Sequence, residues 1–142
     1  MGVMVANQEQ LFCLIDASGY VFRAYHAIRG MSNSEGLATN AIFGYVNMLQ
    51  KSIKELNPTH VAVVMDPVGK SFRHDLYPEY KANRPPAPED LKEQFPFIQP
   101  ITEAMGFRTV VEDGFEADDL IATLAQASAA DGLDVVVISA DK

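Results

Sequence analysis

The chain has 142 residues, of which 48% are hydrophobic and 21% are charged, and its formal net charge is −8. This is the composition of an ordinary globular domain, and it excludes a disordered or fibrous chain. The single cysteine, Cys13, lies in an apolar run, which excludes a disulfide framework and predicts a cytoplasmic location. No apolar run is long enough to span a membrane and the N-terminus lacks the features of a signal peptide, so no membrane partner is expected.

The chain begins with a polar stretch, residues 1–10, which we predict to be disordered. An apolar run from Leu11 then predicts a buried strand that ends at Asp16. Ser18 is predicted to cap a short helix that continues through Tyr25.

A loop, a long helix and a second strand come next. Gly, Ser and Asn are frequent in residues 29–38, which predicts a loop. Apolar residues then recur at helical spacing over residues 40–56, and the Asn-Pro pair after them predicts the end of that helix. The second apolar run, residues 60–65, predicts a strand that ends at Asp66.

The next stretch, residues 70–84, is locally basic in an acidic chain, with four Lys or Arg against two acids. The simplest interpretation is a solvated amphipathic loop or short helix. Aromatic residues among basic ones are also suited to stacking on unpaired bases while the charges hold phosphates. This segment is therefore the predicted contact surface for a nucleic acid, although the net charge of the chain alone argues against one.

A further helical pattern covers residues 91–105, and Pro96 and Pro100 predict that it is kinked or divided. Beyond it, residues 107–111 predict another strand.

Three carboxylates, those of Glu116, Asp118 and Asp119, open the helix after that strand. Acids in a first turn often satisfy free N–H groups and the helix dipole, which requires no function. Three acids in four positions repel one another unless a cation is present, and this favours a functional interpretation.

Three apolar runs end in an aspartate: Asp16, Asp66 and, after residues 135–140, Asp141. A single strand-ending Asp is often a turn residue. Continuous apolar runs that alternate with helical patterns, however, predict a parallel sheet covered by helices on both faces, and the working groups of such sheets lie at the carboxyl ends of the strands. The acids are therefore expected to converge on one edge.

A site of Asp and Glu without His or Cys favours Mg²⁺ or Mn²⁺ over Zn²⁺. Two such ions can hold the attacking and leaving oxygens of a phosphodiester displacement. The sequence contains no Walker A loop, no dinucleotide glycine fingerprint and no nucleophile elbow. A metal-dependent enzyme that acts on phosphodiesters is the function that these patterns favour.

Four ordered motifs resemble the 5′–3′ exonuclease domain of bacterial DNA polymerase I, in the flap endonuclease group of PIN-like nucleases. They are LIDASGYVFRAYHA at 14–27, MDPVGKSFRHDLYPEYKANRPP at 65–86, GFEADDLIATLA at 114–125 and SADK at 139–142. The resemblance covers residues 11–142 and implies a nuclease that hydrolyses DNA at 5′ ends and 5′ flaps, in repair and primer removal, with two divalent metal ions.

The resemblance also implies roles for individual residues. It implies that six acids form the metal site: Asp16, Asp66, Glu116, Asp118, Asp119 and Asp141. Of these, Asp66, Glu116, Asp118 and Asp141 are expected to be catalytic, together with Lys81. The implied DNA contacts are Arg23, Arg73, Tyr80, Lys81 and Arg84, of which the last four belong to a flexible arch.

In the family, further acids and a helical module that grips the duplex lie beyond the position of Lys142. The resemblance therefore predicts an N-terminal part of the exonuclease domain, weak or inactive alone, to which a polymerase domain could be joined in the full-length protein. Two alternatives stay open. One is a DNA-binding fragment without catalysis, and the other is a small PIN-like ribonuclease.

Overall fold

The computed structural model describes residues 10–67 and 88–139. Within these ranges, four parallel strands form one sheet in the order β3-β2-β1-β4. The strands are β1 (Leu11–Asp16), β2 (His60–Val64), β3 (Arg108–Val110) and β4 (Asp134–Ile138). The predicted α/β fold with a parallel sheet is confirmed.

Helices lie between the strands along the chain and cover the sheet, because parallel strands must be joined by crossover connections. In the described part of the chain they are α1 (Ala17–Ala27), α2 (Asn40–Leu56), α3 (Glu89–Lys92), α4 (Phe95–Ala104) and α5 (Ala117–Ala130). None of the helices in these ranges has both the length and the hydropathy needed to cross a bilayer.

The two faces of the sheet bury separate apolar clusters because successive side chains of a strand point to opposite faces. Cys13 and Ile15 of β1 belong to one cluster, which α1, α2 and α4 cover. Leu14, between them, belongs to the other cluster, together with Ile121 of α5. The continuous apolar runs of the sequence are therefore explained by a sheet that is covered on both faces.

The close contact between α1 and α2 depends on a glycine. A Cβ atom built at Gly44 would lie 2.5 Å from the Cβ of Ala24, which is too close for two carbon atoms. Gly44 therefore allows the two helices to approach, and this fixes α1 against the end of the sheet that carries Asp16.

Most predicted boundaries agree with the structure, and α2 covers the predicted residues 40–56. The predicted role of Ser18 was wrong, because α1 begins at Ala17 with Asp16 in the N-cap position, and Ser18 lies inside the first turn. The long helical pattern is divided as expected: α3 ends at Lys92, and α4 begins just before Pro96. Pro96 is tolerated there because the first N–H groups of a helix have no partner within that helix.

The predicted disordered N-terminus covered residues 1–10, of which 1–9 lie outside the described residues, as do the basic segment (residues 70–84) and Asp141. Gln10 is described and exposed, and its carbonyl accepts a hydrogen bond from the N–H of Asp134 at 2.9 Å.

Candidate functional site at the carboxyl edge of the sheet

The carboxylate of Asp66 is held by two hydrogen bonds from distant parts of the chain. Asp66 lies two residues beyond the end of β2 and is exposed. Its Oδ1 accepts a hydrogen bond from the backbone N–H of Ala117 at 2.7 Å, and its Oδ2 accepts one from the hydroxyl of Ser18 at 2.9 Å. Asp66 therefore connects the first turns of α1 and α5.

The bond to Ala117 places a negative charge at the N-terminus of α5. The first N–H groups of a helix lack partners within the helix, and the helix dipole makes this end positive. Ala117 is the first residue of α5 and is buried, so a solvent molecule has little access to its N–H group. The side chain of Asp66 satisfies this group across the edge of the sheet.

Asp16 lies at the same edge of the sheet. It is the last residue of β1 and is 9% exposed, and its Cα is the register partner of Val64, the last residue of β2. Asp16 and Asp66 therefore lie at the same carboxyl edge of the sheet, as the strand-ending pattern of the sequence predicted.

The three acids at the start of α5 differ in their surroundings. Glu116 is the N-cap residue, and its backbone N–H donates to Oδ2 of Asp119 at 3.0 Å, one half of a capping box. Glu116 and Asp119 are half-buried, whereas Asp118 is exposed. Asp119 thus has the structural role that the simple interpretation expected, and its metal role stays a prediction.

The donor chemistry of this edge fits a hard divalent cation, since the side chains gathered here carry carboxylate oxygens. Within residues 10–67 and 88–139, however, no three His, Cys, Asp or Glu side chains are close enough together to hold an ion by themselves. Asp141, the sixth acid of the predicted set, lies outside the described residues. The metal ligands therefore stay a prediction, of which Asp16, Asp66, Glu116, Asp118 and Asp119 are the described candidates.

The predicted DNA contact Arg23 is exposed on α1 but lies on a different side of the helix from Ser18. Arg23 follows Ser18 by five residues, which places the two side chains roughly 140° apart around the helix axis. Burial raises the pKa of Tyr20, while the hydrogen bond with Ser52 of α2 and the charge of Arg23 lower it. The other predicted contacts, Arg73, Tyr80, Lys81 and Arg84, lie outside the described residues.

A cavity of about 830 Å³ adjoins Asp66 and Ser18. Its walls are mostly apolar and come from α1, the end of β2 and α4, with Phe22 and Phe95 in edge-to-face contact at a centroid distance of 5.7 Å. The carboxylate of Asp66 therefore borders open space that a ligand can enter.

Sequence reasoning missed two of the groups at this edge, the hydroxyl of Ser18 as a donor to Asp66 and the N–H of Ala117. Ser18 lies two residues after a strand-ending aspartate, which was the only local signal. Its partner lies 48 residues away along the chain, beyond the reach of any short pattern.

The parallel sheet and the acids at its carboxyl edge define a domain of the PIN-like nuclease class. More particularly, the chain belongs to the family described as 5′-3′ exonuclease, N-terminal resolvase-like domain, whose model matches residues 11–142.

Named relatives agree with this assignment. The chain is 43% identical to a DNA polymerase I of Rhizobium leguminosarum over 94% of its own length, but it spans only 14% of that protein. It is 40% identical to a 5′-3′ exonuclease of Aquifex aeolicus, of which it spans 45%. Among solved structures, one match is the bacteriophage T5 flap endonuclease, in a pseudo-enzyme–product complex with DNA and metal ions. The alignment covers 93% of the present chain and 49% of the T5 protein, with a TM-score of 0.66 and 28% identity.

Proposed function

We propose that the chain is part of a divalent-metal-dependent nuclease that hydrolyses DNA phosphodiester bonds at 5′ ends or 5′ flaps. The observation that carries this proposal is the carboxylate of Asp66, fixed between α1 and α5 at the open carboxyl edge of the sheet in a chain of the exonuclease family. The DNA and metal ions in the T5 flap endonuclease complex support the substrate class and the need for a metal.

In this proposal the metal is held by six acids, namely Asp16, Asp66, Glu116, Asp118, Asp119 and Asp141. Mg²⁺ or Mn²⁺ is favoured because the donors are carboxylates. When bound, two such ions would supply Lewis-acid stabilisation and an activated water for an in-line displacement.

The residues of the chain then have distinct tasks. Asp66 is oriented by Ser18 and Ala117, so its charge points at the edge where a phosphate would lie. Lys81 and Arg84, with Arg73, Tyr80 and Arg23, are proposed to hold the backbone and the unpaired bases of the DNA, because basic and aromatic residues suit both parts of a single strand.

The test is single-turnover cleavage of a 5′-labelled flap DNA, with the protein in excess and Mg²⁺ or Mn²⁺ present. We expect slow, EDTA-sensitive release of 5′ products, in keeping with the weak activity predicted for the chain alone, and a reduction in the rate by about 100-fold or more in Asp66→Asn, since a metal ligand loses its charge. Asp134→Asn is the matched control, because Asp134 is an exposed acid at the start of β4, at the opposite edge of the sheet. An equal loss in both variants, or cleavage that EDTA does not stop, would contradict the proposal.

A second candidate function is DNA binding without hydrolysis. It is favoured by the finding that the described residues contain no group of three side chains able to hold a metal by itself. Gel-shift titration of the flap DNA in EDTA distinguishes the two: tight binding by the wild type, with no cleavage at any Mg²⁺ or Mn²⁺ concentration, identifies the binding module. A flap made of RNA, tested in parallel, separates both from a ribonuclease.

A further inference from the structure

The hydroxyl of Ser18 does not make the local backbone bond that Thr102 and Thr123 make inside their helices. Thr102 and Thr123 each donate to the backbone carbonyl four residues earlier, at 2.7 and 3.0 Å. That is the common local bond of a hydroxyl inside a helix. The Ser18 hydroxyl instead donates to Oδ2 of Asp66, 48 residues away.

The bond restricts the orientation of the Asp66 carboxylate. A carboxylate has about four lone-pair sites, two on each oxygen. One site on Oδ1 is taken by the N–H of Ala117 and one on Oδ2 by Ser18. Among the described residues these two donors are the hydrogen-bond partners of the Asp66 carboxylate, and with both oxygens anchored the plane of the carboxylate has little freedom to rotate.

We infer that Ser18 is a positioning residue, whose hydroxyl sets the orientation in which Asp66 meets a divalent cation. This inference rests on the proposed function, since it assigns a task to a residue beside the proposed metal ligand. Ser18 does not itself need to contact the metal or the DNA. Its effect passes through Asp66, as hydrogen-bond partners of ligating carboxylates commonly act.

Removing the hydroxyl should loosen the carboxylate without releasing it. In Ser18→Ala the hydrogen bond from Ala117 still holds Oδ1 of Asp66, but Oδ2 loses its hydrogen-bond donor. The carboxylate of Asp66 must then be ordered when the cation binds. Loss of such a partner typically weakens metal binding by about 10- to 100-fold. Because Asp66 is exposed, water can replace the lost bond, and the fold should be little affected.

The experiment is a Mn²⁺ titration of the full 142-residue chain by isothermal calorimetry or electron paramagnetic resonance, with thermal unfolding of each variant in EDTA. We expect Ser18→Ala to weaken Mn²⁺ binding about 10-fold and Ser18→Thr, which keeps the hydroxyl, to stay within about twofold of the wild type. Ser52→Ala is the matched control, because it removes a hydroxyl that bonds Tyr20 at 2.5 Å in the contact of α1 with α2. It should leave Mn²⁺ affinity unchanged.

Each outcome decides the matter. The inference would be overturned if Ser18→Ala bound Mn²⁺ as tightly as the wild type while Asp66→Asn lost binding. The proposed metal site would then remain intact. Mn²⁺ binding could instead weaken equally in Ser18→Ala and Ser52→Ala, in parallel with their loss of thermal stability. That result would overturn the inference, because it would show that Ser18 has a purely structural role. Mn²⁺ binding that Asp66→Asn leaves unchanged, or no binding by the wild type, would overturn both the proposed site and this inference.

Discussion

In the described part of the chain, helices α2 and α5 each begin with backbone N–H groups that donate to a side chain from a distant segment. The two capping side chains differ in how many of their hydrogen-bonding sites are already occupied. At α2, Gln94 accepts hydrogen bonds from the N–H groups of Ala41 and Ile42 at 2.8 and 3.0 Å. At α5, Asp66 accepts one from Ala117. In both places a residue close in space, rather than in sequence, provides the cap.

The surroundings separate the two caps. Gln94 is fully buried, and its amide also donates to Oδ1 of Asn40 and to the carbonyl of Asp90, so all of its hydrogen-bonding groups are used. Asp66 carries a carboxylate and is exposed, each of its oxygens accepts a single hydrogen bond from the described residues, and its side chain lines the cavity.

The comparison teaches that one capping device can serve stability or function. A neutral, saturated and buried cap can only stabilise the fold, because every group that it offers already has a protein partner. A charged and open cap satisfies its helix and still has capacity for a ligand.

The largest effect is expected from Gln94→Ala. The substitution leaves the N–H groups of Ala41 and Ile42 without their partner in a buried place, which should lower the free energy of unfolding by about 3 kcal/mol. Urea unfolding followed by circular dichroism measures it. Gln99→Ala is the control, since Gln99 is only half-buried and bonds Glu103 and Thr109 near the surface, and its loss should be below about 1 kcal/mol. Equal losses would remove the contrast between the two caps.

A smaller effect is expected from Asp119→Ala in the capping box at the start of α5. Losing the bond from the Glu116 N–H should lower the free energy of unfolding by about 1 kcal/mol. Asp119→Asn keeps an acceptor oxygen and should recover most of this loss. If Asp119→Asn is stable but binds Mn²⁺ more weakly, the predicted metal role of Asp119 is identified separately from its capping role. If Asp119→Asn is instead strongly destabilised, the negative charge of Asp119 is itself needed for the cap.

The smallest effect at neutral pH concerns Cys13, which is buried in β1. Burial raises the pKa of its thiol from 9.0 to about 11. Because the unfolded chain releases this proton first, the contribution of the neutral thiol to stability is present below about pH 9 and is lost as the pH rises toward about 11. Unfolding free energies between about pH 8 and 11 should therefore decrease more steeply for the wild type than for Cys13→Ala. Parallel slopes would contradict a shifted thiol.

Much of the fold could be predicted from the sequence because its signals are local. The apolar spacing over residues 40–56 defines α2, and the continuous runs that lead to Asp16 and Asp66 define β1 and β2 with their acidic ends. The alternation of these patterns implies a parallel sheet, and the sheet in turn implies that the strand-ending acids converge.

The partners of the site residues were decided by the tertiary structure. Ser18 was predicted to cap its own helix, but the register of β1 against β2 brings it to Asp66 instead. Similarly, Gln94 reaches α2 across 53 residues of sequence. A hydrogen bond of this kind depends on strand register and on how the helices pack, neither of which a short window of sequence contains. The sequence therefore determined that Asp16 and Asp66 lie at one edge of the sheet, and only the packed structure decided which neighbours orient Asp66.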